Sequence, residues 1–206
     1  MLLPHSLFFL FFTHFFNLHA DMKKQFEINV LRLHWIKDDD VDDPKDICVH
    51  GEVLVRIGDE IISNQQSGSW SLATTALFLM RSLYNDYEPG KFQNYLLPCC
   101  GHLIIPGDSA DSPVSVDGCN IGIDWTIEHS EKGIYLTSEN GKTIRISKDQ
   151  FQLEIHHLIE AIEQFYSQSK PKIYFTNFEK EGWTAFWNEW KKLKELHGIK
   201  TSHSQD

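Results

Sequence analysis

The sequence predicts a single α+β domain: an antiparallel sheet, including a three-stranded meander in the C-terminal half, with about three helices, two of them C-terminal, packed on one face. Three observations carry this reading. Apolar residues alternate with period two at residues 26–35, 53–57 and 121–146. Stripes at spacings of three and four follow residues 69, 147 and 176. The strand-rich middle precedes the last two helices and does not alternate with them, which favours helices gathered on one side of the sheet.

The first strand covers residues 26–35. Phe26, Ile28 and Val30 hold one phase and Leu31, Leu33 and Trp35 the other, so a bulge is expected near Val30. The acidic run at 38–43, closed by Pro44, is read as a solvated loop. Val53, Val55 and Ile57 then alternate into Gly58-Asp59, a second strand ending in a hairpin turn. From Ser69 the period lengthens: Leu72, Ala76, Leu79 and Leu83, widened by Trp70, Ala73 and Leu77, make an amphipathic helix that ends before Pro89-Gly90. Pro98, Pro106 and Pro113 leave the stretch to Asp117 mainly to loops, with one short apolar piece at 103–105.

Ile121, Ile123, Trp125 and Ile127 give the clearest half-buried strand. A turn at Lys132-Gly133, then Ile134 and Leu136, then Asn140-Gly141, then Ile144 and Ile146 complete the meander, the Asn-Gly pair tolerating the positive φ of a tight hairpin. Ser147 and Gln150 form a capping box before a helix carrying Phe151, Ile155, Leu158, Ile162 and Phe165. Pro171 stops its continuation. Thr176 and Glu179 form a second box, and the last helix carries Trp183, Phe186, Trp187, Trp190 and Leu193 up to Gly198. The domain is therefore read as residues 22–198, with 199–206 a disordered tail.

Residues 1–21 form an apolar leader that breaks sharply at Asp21-Met22-Lys23-Lys24. Three readings are open. As a signal peptide it has an apolar region and Ala20, but no Lys or Arg ahead of that region. As a membrane anchor it is short and interrupted by three histidines and Asn17. In the third reading the protein starts at Met22 and stays in the cytoplasm; the first two would export it or anchor it.

The chain has 206 residues and a formal charge of -10, with 41% hydrophobic and 23% charged residues. That composition is ordinary for a globular domain, and residues 22–206 offer nothing for a membrane to hold. The acidity argues against nucleic acid and anionic bilayers as partners and favours a basic protein. Cys48, Cys99, Cys100 and Cys119 are even in number, but a bond between neighbouring Cys99 and Cys100 would be strained, so free thiols are the default.

Cys48, His50, Cys99, Cys100, His102 and Cys119 are the ligand types that zinc prefers, though their spacing matches no familiar zinc-finger pattern. Cys48 with His50, and Cys100 with His102, share a face on an extended chain. The same residues offer a thiol beside an imidazole, the raw material of a cysteine nucleophile; against both stands the plain reading of buried thiols and strand-end histidines. His156, Glu160 and Glu163 lie on one helix face, where a solvated polar surface is the simpler account. Residues 38–43 lack the glycine of a calcium-binding EF-hand loop, and Gly141-Lys142-Thr143 has Leu136 where a phosphate-binding loop needs glycine. No G-x-S-x-G, H-E-x-x-H or dinucleotide fingerprint is present, which points away from several enzyme classes.

Trp183 and Trp187 are candidate partner-binding residues, with core packing as the alternative. The expected role is that of a non-catalytic acidic protein that neutralises or sequesters a basic partner. Small acidic immunity proteins, which block positively charged toxins by electrostatic complementarity, share this profile, although no motif assigns the chain to such a family. A zinc-binding protein or enzyme and an exported or envelope-attached protein are the alternatives.

Overall fold

A computed structural model of the chain describes residues 24–37, 41–91, 95–101, 103–109 and 112–199. The leader at 1–21, residues 200–206 of the tail read at 199–206, and His102 lie outside the described residues. The N-terminal sheet contains β1 (Phe26–His34), β2 (His50–Ile57), β3 (Glu60–Ser63) and β4 (Trp70–Ser71). β1 pairs antiparallel with β2, and its register slips between Val30 and Arg32, which is the bulge that the phase change predicts. β2 and β3 make a hairpin around Gly58, whose φ of 65° suits glycine. β4 pairs the start of β2, His50 opposite Ser71, and leads directly into α1 (Leu72–Arg81).

α1 is buried around almost its whole circumference, which makes it the central element rather than a surface helix. The stretch from 89 to 117, expected to be mainly loop, holds short ladders. β5 (Leu97–Pro98) pairs β8 (Gly122–Ile123), and β6 (Leu103–Ile105) pairs β7 (Ser115–Asp117). The apparent strand at 121–128 is also divided. Asp124 turns inward, and its carboxylate accepts the Leu96 N–H at 3.1 Å, the Trp125 N–H at 3.2 Å and the Tyr87 hydroxyl at 2.9 Å. Beyond it, β9 (Trp125–Ser130), β10 (Gly133–Ser138) and β11 (Thr143–Ile146) form the predicted antiparallel meander. Among the described residues the strand pairs are thus all antiparallel, but they belong to four small sheets.

Both C-terminal helices start on their predicted caps. Ser147 Oγ accepts the Gln150 N–H ahead of α2 (Lys148–Ser167), and Thr176 Oγ1 accepts the Glu179 N–H ahead of α3 (Asn177–Leu196), each at 3.1 Å. α2 crosses β1: Phe151 packs on Phe26 with ring centroids 5.6 Å apart, and the buried Glu154 accepts the Ile28 N–H at 3.2 Å and the Lys24 ammonium at 2.9 Å. α3 rests on β6 at Gly182, where a Cβ would stand 2.1 Å from the Ile104 carbonyl oxygen. Only glycine allows helix and strand backbones this close.

Two polar clamps join these layers. Arg81 of α1 binds Glu189 of α3 through two hydrogen bonds, at 2.7 and 2.9 Å, while Glu189 also accepts the Val114 N–H. Glu163 of α2 receives the Lys194 ammonium at 2.5 and 2.6 Å and the Trp190 indole N–H at 2.9 Å, both from α3. Ile199, placed in the tail by the sequence reading, is buried and donates its N–H to the Lys194 carbonyl. No helix among the described residues is long and apolar enough to cross a membrane.

Candidate functional site

The cysteine and histidine candidates come from three parts of the chain that the sheets bring side by side. Cys48 and His50 lie at the start of β2, Cys99 and Cys100 follow β5, and Cys119 sits in the turn before β8. Tyr166 of α2 fixes the first segment, its hydroxyl donating to the Ile47 carbonyl at 2.8 Å and accepting the Val49 N–H at 3.1 Å. On the other side, Thr74 of α1 donates to the Gly101 carbonyl at 3.3 Å, and a Cβ on Gly101 would stand 2.4 Å from Thr74 Oγ1. Glycine therefore lets the 99–101 strand end press against α1.

Within this frame the candidates divide into two groups. Cys48 is buried, its sulfur 3.2 Å from Ser71 Oγ, and burial pushes its thiol up to about 12. His50 is also buried. Its Nδ1 stands 3.0 Å from the Cys48 carbonyl oxygen, the ring also bonds the Cys99 backbone, and burial holds its pKa below the usual imidazole range. Both are thus satisfied by their own surroundings, as buried polar groups generally are.

The second group faces outward. Cys100 and Cys119 have their sulfurs 3.0 Å apart, and the Cys119 N–H donates to the Cys100 sulfur at 2.8 Å. Pairing of β5 with β8 and the Cys99 N–H bond to the Ile121 carbonyl at 2.9 Å set this register. Gly118 completes it, since a Cβ there would lie 2.4 Å from the Cys100 carbonyl oxygen. Hydrogen bonds from the Cys100 and Cys99 thiols hold Cys119 below the usual thiol range. Cys99 is raised by the hydrogen bond it makes to Cys119, and Cys100 is raised by burial and then by its own bond to Cys119. Cys119 is therefore the most acidic thiol of the trio, and it is exposed.

All four cysteines are free thiols. Among the described residues, no three His, Cys, Asp or Glu side chains are grouped as a metal site.

Among the remaining candidates, Glu163 is taken by Lys194 and Trp190, while the buried Nε2 of His156 makes no hydrogen bond and stands 3.5 Å from Glu160. In the acidic stretch, Asp42 binds Lys172 at 2.7 Å and the Lys170 N–H at 2.6 Å, and Asp43 pairs with Lys37, so this part of the loop is docked. Trp183, Phe186 and Trp190 are buried, while Trp187 is half-buried. A groove of about 530 Å³ runs beside them, lined by Ile47, Tyr166, Lys172, Tyr174, Trp183 and Trp187. Two residues of consequence, Asp124 and Glu189, carried no signal in the sequence beyond being single carboxylates. Comparison of the chain with protein-family models, with curated proteins and with solved structures finds no match.

Proposed function

We propose that this domain is a non-catalytic acidic binding protein that neutralises or sequesters a basic protein partner. One observation supports the reading above its rivals. Among the described residues, at least ten lysines and arginines are paired with the protein's own carboxylates, from Lys24 with Glu154 to Lys194 with Glu163. Exposed carboxylates then carry part of the surplus of a chain with a formal charge of -10. Glu128, Glu131 and Glu139 are examples, exposed on the meander and its turns. Such a surface attracts a cationic protein over roughly 8–10 Å at moderate salt and repels polyanions. The buried, self-satisfied Cys48 and His50 give catalysis little to work with, which favours binding over chemistry.

Capture on the immobilised domain from the native cell, followed by titration of the purified partner, tests this. The expected partner is one basic protein whose affinity falls at least ten-fold between about 50 and 500 mM salt. Combined Glu128→Gln, Glu131→Gln and Glu139→Gln substitution should slow association while leaving the melting temperature unchanged. An acidic partner, or one whose affinity ignores salt and these substitutions, would overturn the reading.

A further inference from the structure

Among the described residues, the Cys99, Cys100 and Cys119 cluster is a group of reactive side chains that neither the packing nor the binding role accounts for. The geometry points to a dithiol site: Cys119 takes up sulfur from a small disulfide, and Cys100 displaces it to close a disulfide between the end of β5 and the turn before β8. Three independent features lead there. The two sulfurs are 3.0 Å apart across 19 residues of sequence, about one ångström beyond a disulfide bond of about 2.05 Å. Cys119 is exposed, so a small disulfide can reach it, while the partner thiol is half-buried behind it. Gly118 lies directly on the Cys100 backbone, where any side chain would hold the strands apart.

The chemistry balances with a low-molecular-weight disulfide as oxidant. Cys119 gives its proton to water and attacks one sulfur of the small disulfide, forming a mixed disulfide and releasing one small thiolate, which takes up the proton that Cys119 gave. Cys100 then loses its proton and attacks the Cys119 sulfur, breaking the mixed disulfide and releasing the second small thiol. Two protein thiols are oxidised and one small disulfide is reduced to two thiols. The order follows from reach and acidity, since Cys119 is the exposed, more acidic thiol and Cys100 the shielded one. The Cys99 thiol also hydrogen-bonds Cys119, but the resolving role falls to Cys100, whose sulfur stands 3.0 Å from that of Cys119 and whose backbone Gly118 presses against. Cys48 is excluded by burial.

The bond would tie together the base of the excursion that carries β6 and β7. That excursion supplies Ile104, on which α3 rests at Gly182. Closing it would restrict the excursion on which α3 rests.

Incubating the reduced full-length chain with excess oxidised glutathione, then alkylating free thiols and mapping peptides by mass spectrometry, tests the proposal. The expected product is a Cys100–Cys119 cross-link with two reduced glutathiones released per chain. Cys100→Ser should stop at a glutathione adduct on Cys119, and Cys48→Ser should behave like the wild type. Gly118→Ala retains every thiol but should resolve the adduct at least ten-fold more slowly. A stable adduct on Cys119 of the wild type, a cross-link through Cys99, or a Gly118→Ala rate equal to wild type would overturn it. So would stoichiometric zinc, found on the chain purified without chelator, that protects Cys100 and Cys119 from oxidation.

Discussion

Gly182→Ala sets two physical effects against each other, and the structure decides the sign. Alanine is the better helix former by about 0.8–1 kcal/mol, so α3 taken alone would gain. The new Cβ, however, would stand 2.1 Å from the Ile104 carbonyl oxygen, where ordinary contact begins at 3.4 Å. The obstacle is backbone, held in the β6–β7 ladder, and cannot rotate away as a side-chain tip would. The helix must therefore retreat by about 1.3 Å, lifting Trp183 and Phe186 from the core they fill. Overpacking of this kind costs about 3 kcal/mol at the upper end of its usual range. Offsetting the propensity gain leaves a net loss of roughly 2 kcal/mol, or about 4–8 °C in Tm for a domain of this size. Urea denaturation read by tryptophan fluorescence measures it, with exposed Glu181→Ala in the same turn as the control. A Gly182→Ala midpoint equal to or above wild type, at unchanged slope, would refute the close approach of α3 and β6.

Three further outcomes follow from particular contacts. Burial raises the Asp124 carboxyl from the ordinary 3.8 to about 6, so the folded state holds that proton more tightly and this group's contribution to stability falls as pH rises from about 4 to 6. Asp124→Asn keeps the acceptor for Leu96 and Trp125 without ionising, so its stability relative to wild type should improve by on the order of 3 kcal/mol between pH 4 and 7; parallel urea profiles would exclude this. His50 and His197, both held low by burial, change stability in the opposite sense as pH passes through the imidazole range, but equally in both proteins, so the difference isolates Asp124. Glu163→Ala strands the buried Lys194 ammonium and should cost about 3 kcal/mol, while Glu163→Leu combined with Lys194→Met should recover most of it, since a buried pair is worth little against an apolar replacement. Finally, an aromatic disulfide reagent should label Cys119 first in the native reduced chain and Cys48 only after unfolding, which timed labelling of single-cysteine variants reads directly.

The sequence made the long periodic elements legible, and the reason is physical. α2 and α3 repeat their apolar positions over 20 residues each and begin on side-chain caps, so periodicity and capping agree. The bulge at Val30 was visible because a register slip inverts the alternation of everything after it. Strands of two or three residues leave no such trace. β5, β6 and β7 are held by partners distant in the chain, and their residues alone, with Pro98 among them, read as loop or as one short apolar piece, while β8 read as the start of the strand that continues into β9.

The candidate site was legible only as a list of residue types. That Cys119 would meet Cys100 depends on the β5–β8 pairing, whereas the more conspicuous Cys48-Val49-His50 proved to be interior packing. Trp183 and Trp187 stand next to each other in the sequence pattern yet differ in burial, because only the tertiary fold decides which side of the aromatic stripe meets the core. Glu163 was noticed for the wrong partners. Its helix neighbours His156 and Glu160 were in view, while Lys194 and Trp190 lay on another helix.

The docking of α2 on β1 also bears on how the chain is made. Ile28 and Glu154 are 126 residues apart, and Phe26 meets Phe151 across the same interval. During synthesis the oily side of β1 leaves the ribosome long before the helix that shields it, and closing so wide an interval is entropically slow. Nascent chains should therefore stay vulnerable to self-association until most of the protein has emerged, and dependence on chaperones should be greatest in that interval.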